Sequence, residues 1–144
     1  MKIGEIMTQP AISISPEESA EVAARTLTHY NIGILPVCGS DGKLCGLVTD
    51  RDLVTRCMAS GKTPAQTMVR EVMTSGITSV TPDTETGAAA QLMGSRQVRR
   101  LPVVENGVLQ GMVSLGDLAK QPESTENAAG ALTKISSNPA NFEG

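Results

Sequence analysis

The sequence predicts an α+β chain of two βαββα repeats packed as a pseudo-twofold pair. Three observations carry this. A set of residues returns at a fixed distance, each copy holds two β-rich runs around a turn, and each copy ends on a hydroxyl-to-acid pattern where strand passes to helix. Glu5, Met7, Thr8, Ser13, Pro16, Leu35, Pro36 and Val37 recur 66 positions later as Glu71, Met73, Thr74, Ser79, Pro82, Leu101, Pro102 and Val103. A repeat of this kind decides architecture before any single motif is read. After the turn the offset becomes 65, pairing Leu44, Gly46, Val48, Thr49, Asp52 and Leu53 with Leu109, Gly111, Val113, Ser114, Asp117 and Leu118. The gap falls in a loop, where deletions are tolerated.

Each element follows from local pattern. Ile12-Ser13-Ile14-Ser15 alternates apolar and polar and stops at Pro16, as a short half-buried strand does, and Ile77 to Thr81 before Pro82 repeats it. Ala20, Ala23, Ala24 and Leu27 share one helical face, with Glu17, Glu18 and Glu21 where the macrodipole favours carboxylates, so a helix runs to about His29. Ile34 to Val37 and Leu44 to Val48 flank Ser40-Asp41-Gly42, and the second copy turns at Asn106-Gly107; both read as hairpins. Thr49 with Asp52, and Ser114 with Asp117, then open a second helix. The expected division is repeat 1 over 3–59, a linker over 60–68, repeat 2 over 69–120, and a tail over 121–144 that is either mobile or a short docked helix. A repeat of some 50 residues buries too little surface alone, so the two are expected to share one core.

Composition excludes several functions. Of 144 residues, 12 are basic and 15 acidic, giving a net charge of −3, so no cationic excess drives binding to a nucleic-acid backbone. One Tyr, one Phe and no Trp leave no stacking platform for single strands. No run approaches the roughly 20 apolar residues of a membrane span, and no secretion signal opens the chain, so it is expected to be cytoplasmic with reduced thiols. Cys38, Cys45 and Cys57 match no zinc or redox spacing and are expected to be buried apolar residues, a Cys38–Cys45 bond being a lesser alternative. His29, the only histidine, is assigned to a helix C-terminus, and no nucleophile–base pair or metal cluster is evident. Neither catalysis nor a metal is expected.

The pattern G-h-h-[ST]-x-x-D, in Gly46 to Asp52 and again in Gly111 to Asp117, is where chemistry concentrates. Amides at a helix start and the hydroxyl suit a phosphate, and a carboxylate nearby can accept both hydrogens of a ribose diol. The same residues also suffice as plain capping boxes, and local sequence leaves both readings open.

With Glu5-Ile6-Met7-Thr8 and Glu71-Val72-Met73-Thr74, the two Leu-Pro-Val runs and these junctions in order, twice, the chain resembles the CBS-domain pair, or Bateman module, over residues 3 to 120. It looks like the small stand-alone bacterial pairs, and Ile135 to Pro139 weakly resembles their C-terminal ends. The resemblance implies clefts that bind adenosine-containing ligands: AMP, ADP, ATP or S-adenosylmethionine. Asp52 and Asp117 would take the ribose diols beside Thr49 and Ser114. Gly4 and Gln9, with Ile32 and Gly33, would complete the Asp117 cleft, and Arg70, Ser75 and Val98 the Asp52 cleft. Leu47 and Met112 would flank the adenine. Arg100, with Arg99, stands where the family often carries a phosphate-facing base, and Arg51 is a second phosphate candidate. A homodimer and an unidentified regulated protein partner are further implications. The alternative is a ligand-free interaction module that uses the same surface.

Overall fold

The structure, a computed structural model, describes residues 1–122 and 124–137. Asn138 and Pro139 of the family-like ending, and Phe142, lie outside the described residues. The fold divides into two compact units. One comprises 12–77 and 107–109, the first-repeat unit; the other comprises 1–11, 78–106 and the described residues from 110 on, the second-repeat unit. Each body is therefore joined by the opening segment of the other repeat.

In the first-repeat unit, α1 (Ala20–Tyr30) begins at Ser19, whose hydroxyl accepts the Val22 amide at 3.1 Å, and buries Ala20, Ala23 and Leu27. It ends at Asn31, which takes the left-handed conformation (φ 53°) that short amide side chains tolerate. Strands β1 (Ile34–Cys38) and β2 (Leu44–Thr49) pair antiparallel, with Ile34 opposite Thr49 and a register shift at Val37/Cys38. The expected strand at 12–15 is reduced to one bridging residue: Ile14 bonds to Pro36 and Cys38 beside Val37, and Pro16 ends the pairing. After β2 the chain enters α2 (Asp50–Asp52), which continues as a π-helical turn over Leu53–Met58. Helix α3 (Val69–Val72) contributes Val69 and Val72, both fully buried, to a core with Leu27, Leu35, Val37 and Val48.

The second-repeat unit repeats the plan. Its expected strand at 77–81 is likewise reduced to an isolated bridge, Val80 against Val103. Helix α4 (Thr86–Arg96) is followed by the paired strands β3 (Arg100–Glu105) and β4 (Val108–Ser114) and by α5 (Leu115–Ala119). The hairpin turns on Asn106 and Gly107, both with positive φ (52° and 82°), the pair of conformations that a two-residue turn needs to match strand twist. One element has no counterpart: α6 (Thr125–Ser136) lies on α4 and α5 through buried Ala128, Ala131 and Ile135. It fits closely because α4 is small there. A Cβ at Gly94 would stand 3.4 Å from Ala131 Cα.

The thiols divide. Cys38 and Cys57 are buried and Cys45 is exposed, and all three are free. His29 sits in the last turn of α1, edge-on to Tyr30.

Candidate ligand-binding junctions

Both strand-to-helix junctions are closed capping boxes. Thr49 is extended (φ −117°, ψ 164°); its amide donates to Asp52 Oδ2 at 3.0 Å, and the Asp52 amide donates to Thr49 Oγ1 at 3.0 Å. Ser114 and Asp117 do the same at 2.8 and 3.1 Å. The reciprocal bonds satisfy two amides that a helix start leaves without partners, and they fix each carboxylate at the mouth of its junction.

The glycine of each motif has a steric cause. In the first-repeat unit Leu47 and Thr74 exchange backbone hydrogen bonds of 3.0 and 2.8 Å, and in the second-repeat unit Thr8 and Met112 exchange bonds of 2.8 and 3.1 Å. A Cβ at Gly46 would lie 2.6 Å from the Thr74 carbonyl oxygen, and one at Gly111 would lie 2.6 Å from that of Thr8. Only glycine admits a backbone that close. The crossing brings Gly4 and Gln9 into the unit of Asp117, and Arg70 and Ser75 into the unit of Asp52. Leu47 and Met112, half-buried, carry the pairing itself.

Two of the expected groupings differ. Ile32 and Gly33, assigned by resemblance to Asp117, stand at the Thr49 junction: the Asp50 amide donates to the Gly33 carbonyl at 3.2 Å, and Ile32 packs on the first-repeat core. Val98, assigned to Asp52, belongs to the unit of Asp117, where the Leu115 amide donates to the carbonyl of its neighbour Arg99 at 2.8 Å. In the first hairpin the cause is register. Antiparallel pairing sets the residues before its first strand beside those after its second, as Ile34 opposite Thr49 makes explicit.

The junctions then diverge in charge. Asp52 is buried, and besides the Thr49 amide it accepts the Thr74 hydroxyl at 3.3 and 3.4 Å, with Arg56 Nε 3.8 Å away. Arg56 is held in turn by the Met73 carbonyl at 2.9 Å. Asp117 is half-buried, and among the described residues its only side-chain bond is from the Ser114 amide to Oδ2. Position 121, the counterpart of Arg56, is Gln. At the entrance the contrast runs the other way. Asp50 stands in the first junction, its carboxylate 3.5 Å from where a Gly33 Cβ would be, and exposed Arg51 donates its amide to Asp50. The second junction carries Arg99 and Arg100, both exposed, neither in an ion pair with any described residue. They line a cavity of about 510 Å³ with Ser114, Leu115, Gly116 and the near face of α6. Thr74, Arg56 and the α6 wall were not singled out from sequence. Thr74 and Thr8 close the two repeated Glu-h-Met-Thr segments, which is the signal that could have found the first. Among the described residues no cluster of three or more His, Cys, Asp or Glu is arranged for a metal, and no helix is long and apolar enough to cross a membrane.

The CBS domain family model matches residues 3–59 and 69–123. The CBS domain-containing protein YhcV of Bacillus subtilis is 40% identical over 134 residues, 93% of this chain and 94% of that protein. Among solved structures, Hypoxic Response Protein I with two coordinated zinc ions aligns with a TM-score of 0.78 at 30% identity, over 84% of this chain and 98% of that one. The CBS domain pair of protein MJ0100, in complex with 5′-methylthioadenosine and S-adenosylmethionine, aligns with a TM-score of 0.74 at 26% identity, over 83% and 94%. With two matched segments in tandem and two units built alike, the chain belongs to the CBS domain family as a CBS pair.

Proposed function

We propose that this CBS pair is a non-catalytic sensor that binds an adenosine-containing ligand, AMP, ADP, ATP or S-adenosylmethionine, and passes its occupancy to a protein partner. The observation that carries the reading is the Asp117 carboxylate. One oxygen is fixed by the Ser114 amide, while the other accepts nothing from the described residues and is free to take a ribose hydroxyl. The MJ0100 complex with adenosine compounds supports the ligand class. Met112 and the opening segment around Gly4 and Gln9 offer aliphatic and backbone surface for the base in the same unit, and Arg100 with Arg99 offers charge for phosphate. In the first-repeat unit Thr49, Arg51, Asp52, Leu47, Ile32, Gly33, Arg70 and Ser75 form the corresponding set, with Val98 joining the Asp117 set instead. Asp52, already engaged by Thr74 and Arg56, makes that junction the weaker site. We place the protein in the cytoplasm, as a homodimer, with no nucleic acid or membrane among its partners.

The test is calorimetric titration with adenosine, AMP, ADP, ATP, S-adenosylmethionine and GMP, for the native chain and Asp117→Ala. Binding of one adenosine compound, lost in Asp117→Ala with the fold retained by circular dichroism, supports the reading. No heat with any adenosine compound on folded protein contradicts it.

A second reading has its own observation. Val54 (53%) and Met58 (67%) are exposed apolar residues on the turn that follows the satisfied Asp52 box, so the first-repeat unit has the features of an interaction surface whose junction is structural. Under that reading ligand titrations are flat for the native chain and Asp117→Ala alike.

A further inference from the structure

The cavity beside Ser114 is larger than a phosphate needs and is built from two kinds of wall. Arg99 and Arg100 form one side; Ala119, Ala128, Ala129 and Leu132 form the other, and among the described residues no carboxylate lines it. A chain with net charge −3 that concentrates on one cavity two guanidiniums without an ion pair among the described residues favours an anion there. An inorganic phosphate, however, would leave the α6 wall wet. Leu132 is 44% exposed, so apolar surface remains for a ligand to cover. The first-repeat unit has no such arrangement: Gly33 and Ile34 stand where Arg99 and Arg100 do, Asp50 where Leu115 does, and no helix follows to play α6.

Ser114 belongs both to the Asp117 box and to this cavity, so a ligand anchored at the carboxylate meets the cavity at its next group. Resting on the reading of Asp117 as the ribose acceptor, we infer that the second-repeat junction is built for adenosine 5′-phosphate esters that carry a further organic group beyond the phosphate. The arginines hold the phosphate, and α6 covers the group that follows. The tail helix is thereby a specificity element of the site.

The test compares adenosine, ADP and the β-phenyl ester of ADP by calorimetry on the full chain. Three variants at exposed positions spare the core: Arg100→Ala, Leu132→Ser, which removes the wall, and Ala129→Phe, which fills the cavity. The phenyl ester is expected to bind roughly tenfold tighter than ADP, the scale of about 1.4 kcal/mol of covered apolar surface. Leu132→Ser and Ala129→Phe should each remove that advantage, so that the ester binds no tighter than ADP, while Arg100→Ala weakens ADP and its ester but not adenosine. Equal affinities for ADP and its ester, or an advantage that survives both α6 variants, overturns the inference while adenosine binding still stands. Failure of adenosine, ADP and the ester alike to bind overturns both it and the reading on which it rests.

Discussion

The Thr74 hydroxyl donates to the Asp52 carboxylate at 3.3 and 3.4 Å, whereas Thr8, at the corresponding place, makes no such bond to Asp117 among the described residues. Two acids in the same motif are thus used differently: one is tied into its own unit, and the other keeps an oxygen open. Asp52→Ala is expected to be the more destabilising change. It removes the carboxylate half of the capping box, the bond from the Thr49 amide, worth about 1 kcal/mol, together with the hydroxyl bond, about 1 kcal/mol more. Asp117→Ala should cost only its half of the box. Urea unfolding of both variants with Thr74→Val, and of the Asp52→Ala/Thr74→Val double variant, measures the difference. Coupling of about 1 kcal/mol within that cycle is expected.

Gly46→Ala and Gly111→Ala should each be strongly destabilising, by about 2 kcal/mol or more, because a Cβ 2.6 Å from a backbone oxygen forces the paired segments apart. Gly130→Ala should act oppositely. It lies inside α6 with nothing within 4 Å of a new Cβ, so a gain of about 0.5–1 kcal/mol is expected from helix propensity. Thermal unfolding of the three variants gives both signs.

Burial pushes the Cys38 thiol above the usual range, with smaller raising contributions from Cys45 and Asp41 and a lowering one from its bond to Ser13. Exposed Cys45 is therefore expected to react with iodoacetamide well before Cys38 at pH 8, which peptide mass mapping over time reads directly. The same shift has a stability consequence. A folded thiol that keeps its proton after the unfolded chain has lost it contributes fully below the ordinary thiol value, about 8.5, and less as pH rises through it. Stability should fall over that alkaline range, and the fall should be shallower in Cys38→Ser.

Much of this was legible because it is local. The partners of the Thr49–Asp52 and Ser114–Asp117 boxes lie three positions apart, the Asn106-Gly107 turn is two residues long, and of the four residues that spacing sets on one face of α1, Ala20, Ala23 and Leu27 are buried while Ala24 is exposed. What stayed hidden depends on distant chain or on register. Thr74 reaches Asp52 across 22 residues, and Ile32 and Gly33 are placed by pairing that shows only once Ile34 is set against Thr49. Nor is the cavity visible in sequence. Gly130 argues against a helix in the tail, and its docking depends on the small residues of α4, Gly94 among them, whose spacing has no motif.

The inequality of the two junctions is tested most directly by the stoichiometry of ADP binding, measured by calorimetry on the native chain, Asp52→Asn and Asp117→Asn. One tight site per chain is expected, kept in Asp52→Asn and lost in Asp117→Asn. Two equal sites per chain, or a tight site that disappears with Asp52→Asn and survives Asp117→Asn, would contradict it.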